Sequence, residues 1–436
     1  MGKEEQKGHP EEQEFAFIKE KIKDKPINKR RLMLRGVSTI VFAVIFGLIS
    51  CFIFVLLQPA MQAWLYPEAD PTISIPKDEE PEEPETPPEP VEPADTQDDA
   101  IENQPIYITE MKELEVVDYQ ALQNKLYAVG KKANKSVVTV TSVTTSLDLF
   151  NSPLENQSSG IIIYNNGQEL LILTEKKVIT DAELIHITFI NGDTVPATMK
   201  KYDGNTGIAI ISVNLASISE ETFEKIEVAQ LGNSLTVSQG TVVIAIGSPQ
   251  GSNYSILCGT ITSSGNTIST KDSNYTSFTT DITGNQEGNG VLINLDGEIV
   301  GLVMQDYANA GGQNTLTALS ISELKQIIEY LSNNKDIPYL GLQVNTVTDA
   351  IEKEYDIPKG IYISFVHLES PAMAVGLQVA DVIIKVNGEE VHSADQYTQK
   401  LLSMEPGQTV TLTVLRQNAD SYTEFECPPA TIGVLP

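Results

Sequence analysis

Thr280-Asp281-Ile282-Thr283-Gly284-Asn285-Gln286-Glu287-Gly288-Asn289-Gly290-Val291-Leu292-Ile293-Asn294 leads from a threonine-rich strand through a polar turn into a short apolar run. From Gly284 onward it holds no hydroxyl, thiol or imidazole. On either side lie further short β-rich runs broken by Gly, Asn and Asp. Ser136 to Thr141 alternates as a half-buried strand, followed by Ile161 to Ile163, Leu170 to Leu173, Ile185 to Ile190 and Ile208 to Ile211. Val242 to Ile246, Ile256 to Ile261 and Glu298 to Val303 continue the series. Many short strands at turn-punctuated spacing read as an all-β barrel or sandwich.

The order of the motifs narrows this class. Ser136-Val137-Val138, Ser158-Ser159-Gly160-Ile161-Ile162, Ile244-Ala245-Ile246-Gly247-Ser248-Pro249-Gln250-Gly251, Gly259-Thr260-Ile261-Thr262-Ser263 and Asn294-Leu295-Asp296-Gly297-Glu298-Ile299-Val300-Gly301 follow one another. Together they resemble the HtrA/DegP group of trypsin-like serine proteases, from about Tyr119 to the end of the chain. The resemblance implies a mainly β protein: a trypsin-like double β-barrel domain over 118–334, an α+β PDZ domain over 335–420, and a C-terminal tail over 421–436.

The family's nucleophile stretch reads T-D-x-x-x-N-P-G-N-S-G-G-P-L-x-N. Aligned from the right, its serine falls on Gly288; aligned from the left, on Asn289. The family histidine, in L-T-x-x-H-V-I, falls on Lys177 of Leu173-Thr174-Glu175-Lys176-Lys177-Val178-Ile179. The aspartate, in D-x-x-x-D-[LI]-A, falls on Gly207. Acyl transfer needs a hydroxyl, an imidazole to take its proton and a carboxylate to orient the imidazole. A Ser-Lys dyad could use Lys177 as base, but the nucleophile position offers no hydroxyl or thiol. Thr280 and Thr283 belong to the strand leading in. His9, His186, His367 and His392 fall elsewhere, and Asp203 and Asp281 match the family's non-catalytic aspartates. The nucleophile stretch is one residue short, lacks the proline and carries Glu287, whose charge would repel a developing oxyanion. The expectation is a membrane-anchored, catalytically degenerate member with no catalytic residues, acting through its PDZ domain as a peptide- or protein-binding scaffold or envelope stress sensor. The two competing readings are an active envelope endopeptidase and a structural stalked oligomer without a peptide ligand.

Downstream, Ser320-Ile321-Ser322-Glu323 has the form of a capping box opening a helix with Ile321, Leu324, Ile327, Ile328 and Leu331 on one face. Tyr339-Leu340-Gly341-Leu342, Ser370-Pro371-Ala372-Met373-Ala374-Val375-Gly376-Leu377, Ala380-Asp381-Val382-Ile383-Ile384-Lys385-Val386-Asn387-Gly388 and Pro406-Gly407-Gln408-Thr409-Val410 resemble PDZ motifs in order. The resemblance implies that the N–H groups of Leu340, Gly341 and Leu342, beside Tyr339, receive a peptide's C-terminal carboxylate. The facing helix, capped by Ser393 with Gln396 three residues on, would present Tyr397 and Leu401 to the groove or to the core. The implied partners are exposed C-terminal or unfolded peptides, and the implied assembly is a homotrimer.

Ahead of these domains, Gly36 to Leu57 is a charge-free apolar run of about 22 residues, enough to cross a bilayer as a helix. Lys21, Lys23, Lys25, Lys29, Arg30, Arg31 and Arg35 precede it, so 1–35 reads as a cytoplasmic tail and 36–57 as a transmembrane helix. The length of the run and the poor cleavage site at Gln58-Pro59-Ala60-Met61 favour an anchor over a signal peptide. Residues 58–117 read as an acidic, Pro-rich, disordered linker that holds an extracytoplasmic body off the cell membrane. A net charge of -30 argues against nucleic acid as a partner. Three cysteines and four histidines, all scattered, give neither a disulfide framework nor metal-site spacing, and no cofactor is expected.

Overall fold

The protein, a computed structural model, is described at residues 29–65, 72–79, 115–147, 153–308, 314–418 and 421–436. Two compact units, Met1–Asp70 and Pro71–Pro436, are distinguished. In the first, helix α1 (Lys29–Leu65) extends beyond the apolar run at both ends, and its Val37–Phe54 stretch is long and apolar enough to cross a membrane. The tail before residue 29 and most of the acidic linker lie outside the described residues.

The second unit opens, after a short docked segment described below, with helix α2 (Val116–Ala133). Strands β1 (Val137–Leu147), β2 (Pro153–Asn165), β3 (Glu169–Glu175), β4 (Leu184–Thr188), β5 (Thr194–Tyr202) and β6 (Ile208–Asn214) close a barrel in the order β1-β2-β3-β6-β5-β4. The single-turn helix α3 (Lys176–Ile179) follows β3, and α4 (Glu220–Phe223) follows the barrel. Strands β7 (Val242–Ser248), β8 (Ser255–Ser269), β9 (Asn274–Thr283), β10 (Asn289–Ile293), β11 (Ile299–Met304) and β12 (Thr315–Ser320) close a second barrel.

The apolar runs are continuous because both faces of the inner strands are covered. Successive side chains of a strand point to opposite faces. Leu170 and Ile172 therefore fill the first barrel, while Leu171 and Leu173 join a core shared between the barrels. Ala245 and Leu292 likewise fill the second barrel, and Ile244, Ile246, Val291 and Ile293 face the shared core. Each of these Leu, Ile and Val side chains contributes about 1.5–3 kcal/mol by burial. The sequence signals for β5, β9 and β12 are too polar or too short to stand out beside these runs.

Helix α5 (Ile321–Ser332) buries the expected face, Ile321, Leu324, Ile327, Ile328 and Leu331. Its capping box does not form. The Ser320 hydroxyl pairs with Ser234 Oγ at 2.7 Å, and the Glu323 carboxylate accepts from the Thr276 N–H and hydroxyl of β9 at 2.5 and 2.7 Å. A partner across the interface satisfies the glutamate instead.

The PDZ domain follows. A sheet runs β14 (Leu342–Thr346), β15 (Ile361–Val366), β16 (Val382–Val386), β19 (Leu412–Asn418), β20 (Ser421–Glu426), with β17 (Glu389–Glu390) paired to β16. Two small sheets pair β13 (Pro338–Tyr339) with β22 (Gly433–Val434) and β18 (Thr409–Val410) with β21 (Ala430–Thr431). Helices α6 (Asp349–Tyr355), α7 (Pro371–Ala374) and α8 (Ala394–Leu402) complete it. Residues 421–436 are therefore not a tail: they supply three strands, and Cys427, Ala430 and Ile432 are buried in the PDZ core.

One piece of the linker is also built into the body. Over 72–79, Ile73 is buried and its N–H and C=O pair with the Asn333 amide, each at 2.8 Å. The Ile75 N–H donates to Glu329, and Asp78 is ion-paired with the buried Lys325 at 2.6 Å. This segment is strapped to α5 rather than free. The three cysteines are unpaired.

Candidate functional site

The fold brings Lys177, Gly207 and the Gly288 loop, where the resemblance expects the family triad, near one another. Lys177 lies on α3, held by β3. The Lys176 N–H donates to the Gly207 carbonyl at 2.7 Å, tying the histidine-position turn to the aspartate-position turn. Gly288 closes the loop between β9 and β10, whose Glu287 carboxylate is near enough to act on the Lys177 charge.

Lys177 is not poised as a base. Its ammonium meets Glu175 at 2.5 Å. Partial burial alone would lower its pKa, but the hydrogen bond to Glu175 and the carboxylates of Glu175, Asp306 and Glu287 raise it overall. A base lysine must lose its proton near neutral pH, and these surroundings oppose that loss. Burial in turn raises the Glu175 carboxyl, with Lys177 pulling it back. Glu175 and Asp306 are site residues that the sequence reading does not single out.

Residues 284–294, where the family serine is expected, carry no hydroxyl or thiol. The Thr280 hydroxyl is buried and donates to the Leu316 carbonyl at 3.1 Å. His186 sits on β4 opposite Pro196 and is not part of the site. Asp203 is fully buried and accepts from the Asn205 N–H, the Thr206 N–H and the Thr206 hydroxyl. Asp281 ties β9 to the Thr260 N–H and hydroxyl of β8. Both aspartates act within turns and strand pairings.

The oxyanion position is closed as well. The Gly288 N–H donates to the Asn285 carbonyl at 3.0 Å, so this donor completes a turn instead of facing a substrate. Nor is there room for a side chain: a Cβ on Gly288 would lie 2.5 Å from the Pro249 carbonyl oxygen.

Asn289 is a bridge between the barrels. Its Oδ1 accepts from the Ser159 N–H at 3.1 Å and the Ser159 hydroxyl at 2.5 Å, both buried. Asn289→Ser is too short to keep either bond and strands the Ser159 N–H. It is expected to cost about 1–3 kcal/mol in urea unfolding and to yield no casein hydrolysis.

The second candidate site is the PDZ groove. Gly341 adopts φ +90, and a Cβ there would lie 2.3 Å from Ser370 Cβ, so only glycine fits. This turn aligns three N–H groups on one point, and a carboxylate occupies it. Leu340 N–H and Gly341 N–H donate to Asp272 Oδ2, each at 2.7 Å, and Leu342 N–H donates to Oδ1 at 3.0 Å. The Tyr397 hydroxyl donates to the same Oδ1 at 2.6 Å. Burial, and then the neighbouring Asp272, push the Tyr397 phenol well above its ordinary pKa, so it remains a donor. Burial raises the Asp272 carboxyl, and its four hydrogen bonds oppose that rise.

Helix α8 is capped as the sequence suggests, with Ser393 Oγ accepting from the Gln396 N–H. Tyr397 and Leu401 are both buried in the PDZ core; Tyr397 alone reaches the nest. Tyr339 is buried where β13 pairs with β22 and flanks Gly341. Asp272, in the β8–β9 turn, carries no sequence signal beyond that of a turn residue. Among the described residues no cluster of His, Cys, Asp and Glu is arranged to hold a metal ion.

Comparison with known proteins agrees with this architecture. Residues 158–302 match the trypsin-like peptidase domain family, and residues 338–426 match the PDZ domain family. The serine protease Do-like HtrA of Lactobacillus helveticus is 28% identical over 289 residues, covering 62% of this chain and 68% of the relative. A probable periplasmic serine endoprotease DegP-like from Hahella chejuensis is 28% identical, covering 65% and 59%. The serine protease Do-like HtrB of Bacillus subtilis is 27% identical, covering 59% of each. This chain thus spans about three fifths to two thirds of the length of these relatives. The solved structure of the HtrA-type protease AlgW with a tripeptide superposes with a TM-score of 0.52 at 20% identity, covering 71% of this chain and 97% of that one. With two barrels overlapping the trypsin-like peptidase match, a PDZ domain after them and relatives of this kind, the chain belongs to the HtrA-type family.

Proposed function

We propose that this chain is a membrane-anchored, extracytoplasmic pseudoprotease that binds peptides through its PDZ domain and uses the paired barrels as a scaffold. The carrying observation is the state of the former active site. Lys177, Gly207, Gly288 and Asn289 provide no nucleophile, no neutral base and no orienting carboxylate, and the Gly288 N–H is spent on a turn. The relatives are named serine proteases, an activity that requires those groups. Peptide binding is supported by the Leu340–Leu342 nest, which already holds a carboxylate, and by a neighbouring fold solved with peptides. The apolar helix and the periplasmic naming of relatives support the location.

The direct test is hydrolysis by the full chain in detergent, with casein and a fluorogenic peptide set as substrates. No cleavage above blank is expected. Cleavage that persists in Lys177→Ala and Thr283→Ala would overturn the reading, because it would require chemistry outside the trypsin-like site.

A further inference from the structure

We infer that the PDZ carboxylate site is occupied by an internal ligand, Asp272 of the β8–β9 turn, and that a peptide's free C-terminal carboxylate must displace it to bind. The inference rests on the peptide-binding reading above and adds the state in which the site is held.

The imitation goes beyond the carboxylate. A peptide that adds a strand to a PDZ sheet donates main-chain N–H groups to the facing strand. The Asp272 N–H donates to the Leu342 carbonyl at 2.6 Å, and Asn274 Nδ2 donates to the Val344 carbonyl at 3.0 Å, so the turn lies along the start of β14. The Thr398 hydroxyl of α8 donates to the Asp272 carbonyl at 2.8 Å, closing the other side of the groove. Here a side-chain carboxylate fills the nest, so the main chain cannot end there and must turn away. Asp272 does so at φ 60, in the left-handed region that aspartate tolerates. The turn is pinned by the Thr270 N–H and hydroxyl, both donating to the Ser273 carbonyl at 2.8 Å.

The turn is held by hydrogen bonds to the nest, β14 and α8, and the joint around it is not sealed throughout. Beside it lies a cavity of about 360 Å³ lined by Ser273, Asn274 and Glu323 on the barrel side and by Asp395, Thr398 and Gln399 of α8. A joint that is not close-packed forfeits the dispersion contacts of a protein interior. The internal carboxylate competes through its effective concentration, which is of millimolar order for short tethers. Apparent peptide affinity falls by the fraction of chains in which the nest is open.

The test compares the full chain with Asp272→Ala in detergent. Hydrogen exchange is read at Leu340, Gly341 and Leu342, and binding is read with a fluorescein-labelled decapeptide library bearing free C-termini, alongside its amidated counterpart. Asp272→Ala is expected to exchange the three nest amides at least tenfold faster and to bind free-carboxylate peptides at least tenfold more tightly, with no gain for amidated ones. Unchanged exchange in a folded Asp272→Ala overturns the internal ligand. Equal peptide affinity in both proteins overturns the competition while leaving peptide binding intact. If the nest opens and neither protein binds any peptide, peptide binding fails and the competition fails with it. Tyr397→Phe, which removes only one of the four hydrogen bonds, gives an independent reading: a rise in exchange smaller than that of Asp272→Ala is expected, and none at all counts against the assignment.

Discussion

A chain carrying Lys177→His, Gly207→Asp and Gly288→Ser together is expected to hydrolyse no casein and to lose about 3–7 kcal/mol of stability. Each replacement introduces the residue that the proposed family alignment expects and breaks a contact or conformation present here. Removing the Lys177 ammonium leaves Glu175, 5% exposed, without its cation, at about 1–3 kcal/mol. Gly207 has φ +76, where an aspartate is strained by about 1 kcal/mol. A serine Cβ at 288 meets the Pro249 carbonyl at 2.5 Å, and relieving such an overlap costs about 1–3 kcal/mol. The loop would still close through the Gly288 N–H and Asn285 carbonyl, so the new hydroxyl would face no oxyanion donor. A loss of that size is a large part of the stability of an ordinary domain. Urea unfolding and casein hydrolysis on the same preparation check both halves. Hydrolysis by the triple variant would show that the scaffold still holds a working geometry.

The fold was legible where residues had to satisfy packing on both faces, as in Leu170 to Leu173 and Ile244 to Ile246. It was less legible where a strand is held by hydrogen bonds to its neighbours. Strand β5 carries Pro196 and two lysines, and half of β9 is Thr and Ser, so neither shows a clear apolar pattern. The end of the chain misleads for a different reason. Pro428, Pro429 and Gly433 break it into two-residue strands, below the length at which a period of two can be seen. The linker reading fails at 72–79 because its average composition masks Ile73 and Ile75, which find partners only on the folded α5.

The site divides in the same way. The expected triad positions lie inside motif frames, so the residues standing there can be named one by one from the sequence. The nest at Leu340 to Leu342 can also be read, because its backbone turn requires Gly341. Its occupant cannot. Asp272 is 68 residues from Leu340, in a turn where an aspartate has an ordinary local reason to be. Only the tertiary fold brings the turn to the nest, and no sequence period encodes that approach.

Arg416→Ala is expected to destabilise the PDZ domain by about 3–5 kcal/mol. Arg416, on β19, donates from Nε to Asp381 Oδ1 and from Nη2 to Asp381 Oδ2, both at 2.7 Å, and again from Nη2 to the Gly376 carbonyl at 2.8 Å. Asp381 is 1% exposed, and apart from the guanidinium its carboxylate accepts only the Gln378 N–H, at 2.9 Å, among the described residues. Truncating the arginine leaves a buried carboxylate with one donor. Arg416→Lys keeps the charge but not the two-pronged geometry, so an intermediate loss is expected. Adding Asp381→Ala to Arg416→Ala should recover part of the loss, since the stranded charge is then gone. Urea unfolding of the parent chain, Arg416→Ala, Asp381→Ala and the double variant measures that coupling; a loss below about 1 kcal/mol in Arg416→Ala would rank the pair with solvated surface bridges. The pair also bears on binding. It fixes the turn from Gly376 to Asp381 that follows α7, and the Ala372 N–H of α7 donates to the Leu340 carbonyl at 3.0 Å, behind the nest. Loosening that turn should therefore weaken carboxylate binding even in chains that remain folded, whichever carboxylate, internal or external, occupies the site.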